Sequence, residues 1–228
     1  MSTTDTFHPE KTRIPYHVGL IPDGGRRWAQ ANGCSLADSY VKTKQLIRDM
    51  VVFLTDSGVF EISIYLSSIQ NFRRTTEEVE AFNNVSAFAF QNDILKLARE
   101  KNLRINVAGN RKAIPESYLN AIQLAESETK SNDRGVINIL VAYNPVDEII
   151  EAFSKNDNPS EFLKYLWVTT PLDLIIRSGG ANLLSNFLPL QSGFARLVFF
   201  DELFNDLTIS NIIHVFEDFF GIERKFGD

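Results

Sequence analysis

"HVGLIPDGGRRWAQ", residues 17–30, sets the fold class and points to the site. The apolar run 17–21 reads as a buried strand. It breaks at Pro22, and Asp23, Gly24, Gly25, Arg26 and Arg27 follow at once. In open α/β sheets, ligand crevices lie just beyond the carboxyl ends of the strands. Glycines at such an end let backbone N–H groups converge on one point, a nest for an anion. Arginines add fixed, forked donors suited to phosphate oxygens. Alone, D-G-G is a turn signal and paired arginines are a solvated face. The rest of the chain decides between these readings.

Outward from this stretch, short apolar runs alternate with longer amphipathic ones. Strands are expected at 60–66, 103–109, 135–143, 172–177 and 196–200. Helices are expected at 35–57, capped by Ser35, and at 76–101, capped by Thr76 with acids in its first turn. Others are expected at 115–131, 145–154, 159–166 and 208–220. Strand–helix alternation implies one α/β domain, residues 16–228, with a six-stranded, mostly parallel sheet flanked by helices. Residues 1–15 read as a loose arm. Three polar clusters follow strand ends: 23–27, "SSIQNFRR" at 67–74 and "RSGGANLLSN" at 177–186. The topology predicts that they meet in one crevice.

Composition narrows what that crevice serves. The net charge is −6 over 228 residues, so the basic footprint of a nucleic-acid binder is missing. The single cysteine, Cys34, allows no internal disulfide and fits a reducing, cytoplasmic setting. Its three histidines show no metal-ligand spacing. The beginning of the sequence is polar and unlike a signal peptide. No apolar run approaches a membrane span of about 20 residues. Neither a dinucleotide-binding G-x-G-x-x-G nor a P-loop is present. An acid beside phosphate is repelled unless a cation lies between them. Asp23 therefore reads as a Mg²⁺ ligand shared with a diphosphate.

"HVGLIPDGGRRWAQANG", "YLSSIQNFRRTTEEV", "DLIIRSGGANLLSNFLPLQSGFARLVFF" and the terminal "ERKFG" resemble the cis-prenyltransferases. The resemblance implies their fold, a Mg²⁺-dependent homodimer and allylic prenyl diphosphate substrates. Asp23 matches the aspartate that handles Mg²⁺ and the donor diphosphate. Gly24 and Arg27 match the diphosphate-binding turn, with Gly25 and Arg26 beside them, and Trp28 matches an aromatic of the same motif. Ser68 and Asn71 match groups near the reacting atoms, and Arg74 a donor-phosphate arginine. Arg177 and Ser185 match ligands of the acceptor diphosphate. Leu66 stands where long-chain members carry a small residue, at the start of an apolar tunnel between the helices at 35–57 and 76–101. Phe82, Val85 and Ala89 share one face of the second helix, and Leu66 with bulky Phe favours a C10–C15 product.

The departures from the family pattern carry separate information. Gly25 stands where relatives have Asn. Leu36 and Tyr40 replace a donor-side Arg and His, Leu183 replaces the second acceptor arginine, and Arg196 replaces a glutamate. A changed acceptor site implies irregular head-to-middle coupling of short allylic diphosphates. Cyclisation of one prenyl diphosphate, ordinary short-chain elongation and an inactive partner subunit are the alternatives.

Overall fold

All six expected strands form, and all six run parallel. In the computed structural model, which describes residues 14–73, 75–156, 158 and 160–220, they are β1 (His17–Ile21), β2 (Glu61–Tyr65), β3 (Leu103–Ala108), β4 (Gly135–Leu140), β5 (Leu174–Arg177) and β6 (Arg196–Phe199). Their order is β3-β4-β2-β1-β5-β6. No antiparallel strand joins the sheet among the described residues, so it is wholly rather than mostly parallel. Because β1 is central, its carboxyl end has β2 on one side and β5 on the other. That places all three polar clusters together.

The helices are α1 (Gly25–Asn32), α2 (Leu36–Asp56), α3 (Thr76–Ala89), α4 (Leu95–Lys101), α5 (Glu116–Thr129), α6 (Pro145–Lys155) and α7 (Ile209–Phe220). Ser35 caps α2 in a reciprocal box. Its hydroxyl accepts the Asp38 N–H, and the Asp38 carboxylate accepts the Ser35 N–H. The helix expected over 76–101 is interrupted. Thr75 caps it rather than Thr76, and a π turn at Phe90–Ile94 separates α3 from α4. Periodicity across 76–101 does not register one extra residue in a turn. The helix expected at 159–166 is a short 3₁₀ turn, Phe162–Tyr165. Of the arm expected at 1–15, Ile14 and Pro15 are described, and Pro15 is buried.

The two sheet faces differ in chemistry. One carries Val18, Leu20, Ile62, Ile64, Ile137 and Ile139, packed with Met50, Val51 and Leu54 of α2 and Tyr118 and Ile122 of α5. The other carries Tyr65, Leu140 and Ile175 against Phe187 and Leu188, together with a buried polar chain. In that chain the His17 Nε2 lies 2.7 Å from the Ser63 hydroxyl, and Asn138 Nδ2 donates to Glu61 at 2.6 Å and to Ser63 at 3.1 Å. Burial holds the His17 imidazole below its ordinary pKa, so it is neutral.

Gly19 allows the second face to close. A Cβ there would lie 2.6 Å from the Phe187 ring and 3.1 Å from Leu172. Gly19→Ala is expected to destabilise the fold by about 1–3 kcal/mol through overpacking. Denaturant unfolding checks this, and an unchanged midpoint would show that Phe187 moves aside freely.

Candidate active site

At the end of β1 the chain must leave the sheet, and Pro22 has no N–H with which to continue it. Gly24 has φ 111°, left-handed space that favours glycine, and Leu203 lies 2.8 Å from where its Cβ would be. Gly24 is the N-cap residue of α1, and no side chain caps that helix. The first-turn N–H groups of α1 lack intrahelical partners and add the helix dipole.

Asp23 stands beside these donors and is held on both sides. Its Oδ2 accepts Arg177 Nη2 at 2.8 Å and its Oδ1 lies 3.4 Å from Arg27 Nη2. The Ser178 hydroxyl grips the Asp23 main chain, accepting its N–H and donating to its C=O. Arg27 Nη2 also donates to the Gly179 carbonyl at 2.9 Å. A Cβ at Gly179 would lie 2.7 Å from that nitrogen, and φ there is 87°. Glycine admits the arginine.

Arg177 is 5% exposed. Its Nη1 donates to the Ser185 hydroxyl at 2.8 Å and the Leu183 carbonyl at 2.5 Å. Its buried Nε has no hydrogen-bond partner among the described residues. Ser185, Asn186 and Leu188 all have positive φ, a local cluster of costly backbone conformations. Tyr65 supports this loop by donating its hydroxyl to the Ser185 carbonyl at 3.1 Å. Burial pushes the Tyr65 phenol up to about 12, so it stays a donor at neutral pH. On the β2 side, Asn71 Oδ1 accepts both the N–H and the hydroxyl of Ser68, at 2.7 and 3.0 Å.

These groups rim a cavity of about 610 Å³. It runs between α2 and α3, over the aliphatic face of the sheet. Ile64, Leu66, Ile137, Phe90 and Leu97 line its depth. Tyr40 and Phe72 both meet the Phe82 ring edge-on, at 5.8 and 6.4 Å, forming an aromatic wall. Asp93, carried by the π turn, pairs with Lys44 across the two helices at 2.8 Å.

Of the residues expected from sequence, Asp23, Gly24, Gly25, Arg26, Arg27, Leu66, Ser68, Asn71, Arg177 and Ser185 line this cavity. Arg74 lies outside the described residues, as does the terminal "ERKFG". Two expected residues do not join. Trp28 is not in the lining; its indole donates to Asp206 at 2.7 Å and Lys42 lies over its ring. One helical turn past Gly24 it packs outward. Arg196 opens β6, paired with Leu174, whereas Arg177 pairs with Phe199 at the far end of the same strands. It sits at the amino end of a parallel strand and is absent from the lining. Phe88 is exposed, whereas Phe82, Val85, Ala89 and Phe90 line the cavity. Sequence reasoning missed Tyr65, Phe72 and the Lys44–Asp93 pair. The β-strand period marks Tyr65 as the neighbour facing away from Leu66; the pair depends on the π turn.

The family model Prenyltransf, that of the undecaprenyl diphosphate synthases, matches residues 21–227. An isoprenyl transferase of Fusobacterium nucleatum is 30% identical, over 94% of this chain and 96% of that protein. One from Thermotoga maritima is 31% identical, over 94% and 97%. A tritrans,polycis-undecaprenyl-diphosphate synthase (geranylgeranyl-diphosphate specific) of Pyrococcus abyssi is 29% identical, over 94% and 87%. The crystal structure of lavandulyl diphosphate synthase from Lavandula x intermedia, in complex with dimethylallyl diphosphate, shares the fold. Its TM-score is 0.88 at 24% identity, covering 94% of this chain and 99% of that one.

Arg177 serves Asp23, Ser185 and Leu183 through one planar fork, which a single ammonium cannot reproduce. Arg177→Lys is expected to lower kcat/KM by about 10- to 100-fold, the size of one lost charge-assisted bond. Steady-state kinetics on the folded variant checks this, and a rate within twofold of wild type would remove Arg177 from the site.

Proposed function

The chain belongs to the Prenyltransf family, that of the undecaprenyl diphosphate synthases, and is a prenyltransferase; on that premise we propose that it couples short allylic prenyl diphosphates head-to-middle, with Mg²⁺ at Asp23, to give a C10–C15 product. The observation that carries this reading is Asp23 between Arg27 and Arg177, at the rim of a cavity with an apolar interior. An anionic head belongs at such a rim and a hydrocarbon tail inside.

The donor set suits magnesium bound in company with substrate. Mg²⁺ is ordinarily held by one or two carboxylates together with phosphate oxygens and water. Among the described residues no group of three or more His, Cys, Asp and Glu could hold a metal. Asp23 is a single, partly exposed carboxylate beside the free N–H groups of α1. When bound, Mg²⁺ would supply positive charge to the leaving diphosphate.

The chain's own groups do the rest. The N–H groups at the start of α1 and the forks of Arg27 and Arg177 bind diphosphate oxygens, and Arg177 Nε offers a further donor. A diphosphate that takes up these forks leaves the Asp23 oxygens for the metal. Asn71 satisfies Ser68 through Oδ1 and keeps its Nδ2 donors for a substrate oxygen. The donor's allylic C–O bond breaks and its diphosphate departs with the electron pair. The acceptor's double bond attacks the allylic carbon, and the proton then lost goes to a diphosphate oxygen. Tyr40, Phe72 and Phe82 offer aromatic rings to the developing cation.

The acceptor side supports the irregular reading. Leu183 is 53% exposed and contributes only its carbonyl to Arg177. Arg196 is at the opposite strand end. Neither position 183 nor position 196 therefore supplies a second arginine clamp for isopentenyl diphosphate. Leu66, Phe82 and Phe90 put bulky side chains on the cavity wall, which supports a short product.

A homodimer is part of the proposal. On α6, Val146, Ile150 and Phe153 recur at i, i+4 and i+7, and all three are exposed. β6 is an edge strand, with Leu197 exposed. The solvent-facing apolar stripe of α6 and the open β6 edge would each fit a second copy better than water.

Two outcomes are expected. Dimethylallyl diphosphate alone with Mg²⁺ yields a branched C10 diphosphate, and Asp23→Ala or removal of Mg²⁺ abolishes it. Product that forms only with isopentenyl diphosphate would establish regular elongation. A cyclic product from geranyl diphosphate alone would establish cyclisation, and no turnover of any of these would point to a partner subunit. In sedimentation at micromolar concentration, wild type is expected to run as a dimer and Ile150→Asp as a monomer. A monomeric wild type would overturn the dimer.

A further inference from the structure

The turn that carries Asp23, Gly24 and Gly25 is held from behind by the segment after β6. Three contacts fall on three consecutive residues. The Phe204 N–H donates to the Asp23 carbonyl at 3.0 Å. Leu203 packs where a Gly24 Cβ would be. The third contact is a chain of side chains that ends at Gly25.

That chain runs in one direction. The Thr43 hydroxyl donates to Asn205 Oδ1 at 2.7 Å. Asn205 Nδ2 donates to the Ser39 hydroxyl at 2.9 Å and to the Ser39 carbonyl at 3.1 Å. The Ser39 hydroxyl donates to the Gly25 carbonyl at 2.8 Å. Asn205 is 3% exposed and Ser39 fully buried, so no bulk water replaces a missing link. None of the three side chains is hydrophobic, and apolar residues of similar size would fill the same space without the desolvation cost.

We infer that Asn205 is a positioning residue for the diphosphate-binding turn, acting through Ser39. A peptide unit is planar and trans, so its C=O and N–H point in opposite directions. Holding the Gly25 carbonyl on the α2 side aims the Arg26 N–H the other way, out of the open start of α1. The Phe204 N–H fixes the Asp23–Gly24 peptide in the same manner. The backbone donors of the nest are thus set before an anion arrives, and binding does not have to order them. The role rests on the proposed diphosphate site, and it adds a residue about 180 positions away in sequence from the turn it controls.

Inorganic diphosphate with Mg²⁺ is the probe, measured by calorimetry on the full chain. Asn205→Ala and Ser39→Ala are each expected to weaken its binding about tenfold and to raise KM for the allylic diphosphate by a similar factor, with a smaller change in kcat. The double variant is expected to be no weaker than the worse single, because both cut one chain. Ile122→Val, which truncates a fully buried side chain of α5 outside the cavity lining, is the control and keeps wild-type diphosphate binding. Wild-type affinity in Asn205→Ala, or in Ser39→Ala should the first not fold, overturns the positioning role and leaves the diphosphate site standing. A loss of affinity in Ile122→Val equal to theirs also overturns it, since stability alone would then explain the effect. No diphosphate binding by wild type overturns the site and the positioning role together.

Discussion

The pairing of Arg177 with Asp23 is the constraint around which the site is arranged. A guanidinium does not shed its charge, so a buried one must be surrounded by acceptors. Arg177 ends β5 in register with Ile21 of β1. Asp23 lies two residues beyond Ile21 and reaches the guanidinium at 2.8 Å. The same fork draws in the 183–185 loop, and Arg27 returns from the next helical turn to the same carboxylate. The segments that follow two neighbouring strands are thereby tied to one charge pair. The arrangement is neutral enough to fold and polar enough to exchange partners with an incoming anion.

That geometry depends on strand register, which the opposite sheet face secures. His17, Glu61, Ser63, Asn106 and Asn138 alternate with the aliphatic residues of the cavity floor. The neutral His17 ring donates from Nδ1 to the Thr170 carbonyl and accepts the Ser63 hydroxyl at Nε2. Asn106 Nδ2 donates to Asn138 Oδ1 at 2.7 Å. A one-residue slip of any of these strands would turn a polar side chain into the apolar cavity and an aliphatic one into the polar chain. It would also move Arg177 off Asp23. The polar face contributes specificity, and the aliphatic face forms the floor beneath a hydrocarbon tail.

Much of this was legible in the sequence because it follows from local rules. Short apolar runs alternating with longer amphipathic ones located all six strands, and the parallel-sheet rule brought 23–27, 67–74 and 177–186 together. What remained hidden depended on residues far apart or on one extra residue in a turn. The π turn at Phe90–Ile94 changes which side chains of the long helical run meet α2, and so decides that Phe90 faces the cavity and Asp93 meets Lys44. Trp28 and Arg196 were assigned by motif position. The angle at which α1 leaves Gly24 sends Trp28 outward, and the direction of β6 keeps Arg196 at its amino end. Motif position supplies residue identity, whereas strand direction decides which end of the sheet a residue serves.

The two glycines after Asp23 have different physical causes. Gly24 has a left-handed φ and is roofed by Leu203, so any side chain there would meet both strain and a clash. Gly25 has neither constraint. A Cβ there would make only ordinary contacts, the nearest being the Ser39 hydroxyl at 3.5 Å. Its lack of a side chain is therefore not required by the backbone. A longer polar group at this position would lie beside Ser39, Tyr40 and Thr43, at the hydroxyls that lead to Asn205. The turn is oriented by side chains placed behind it, which leaves the front of the nest as bare backbone toward the ligand.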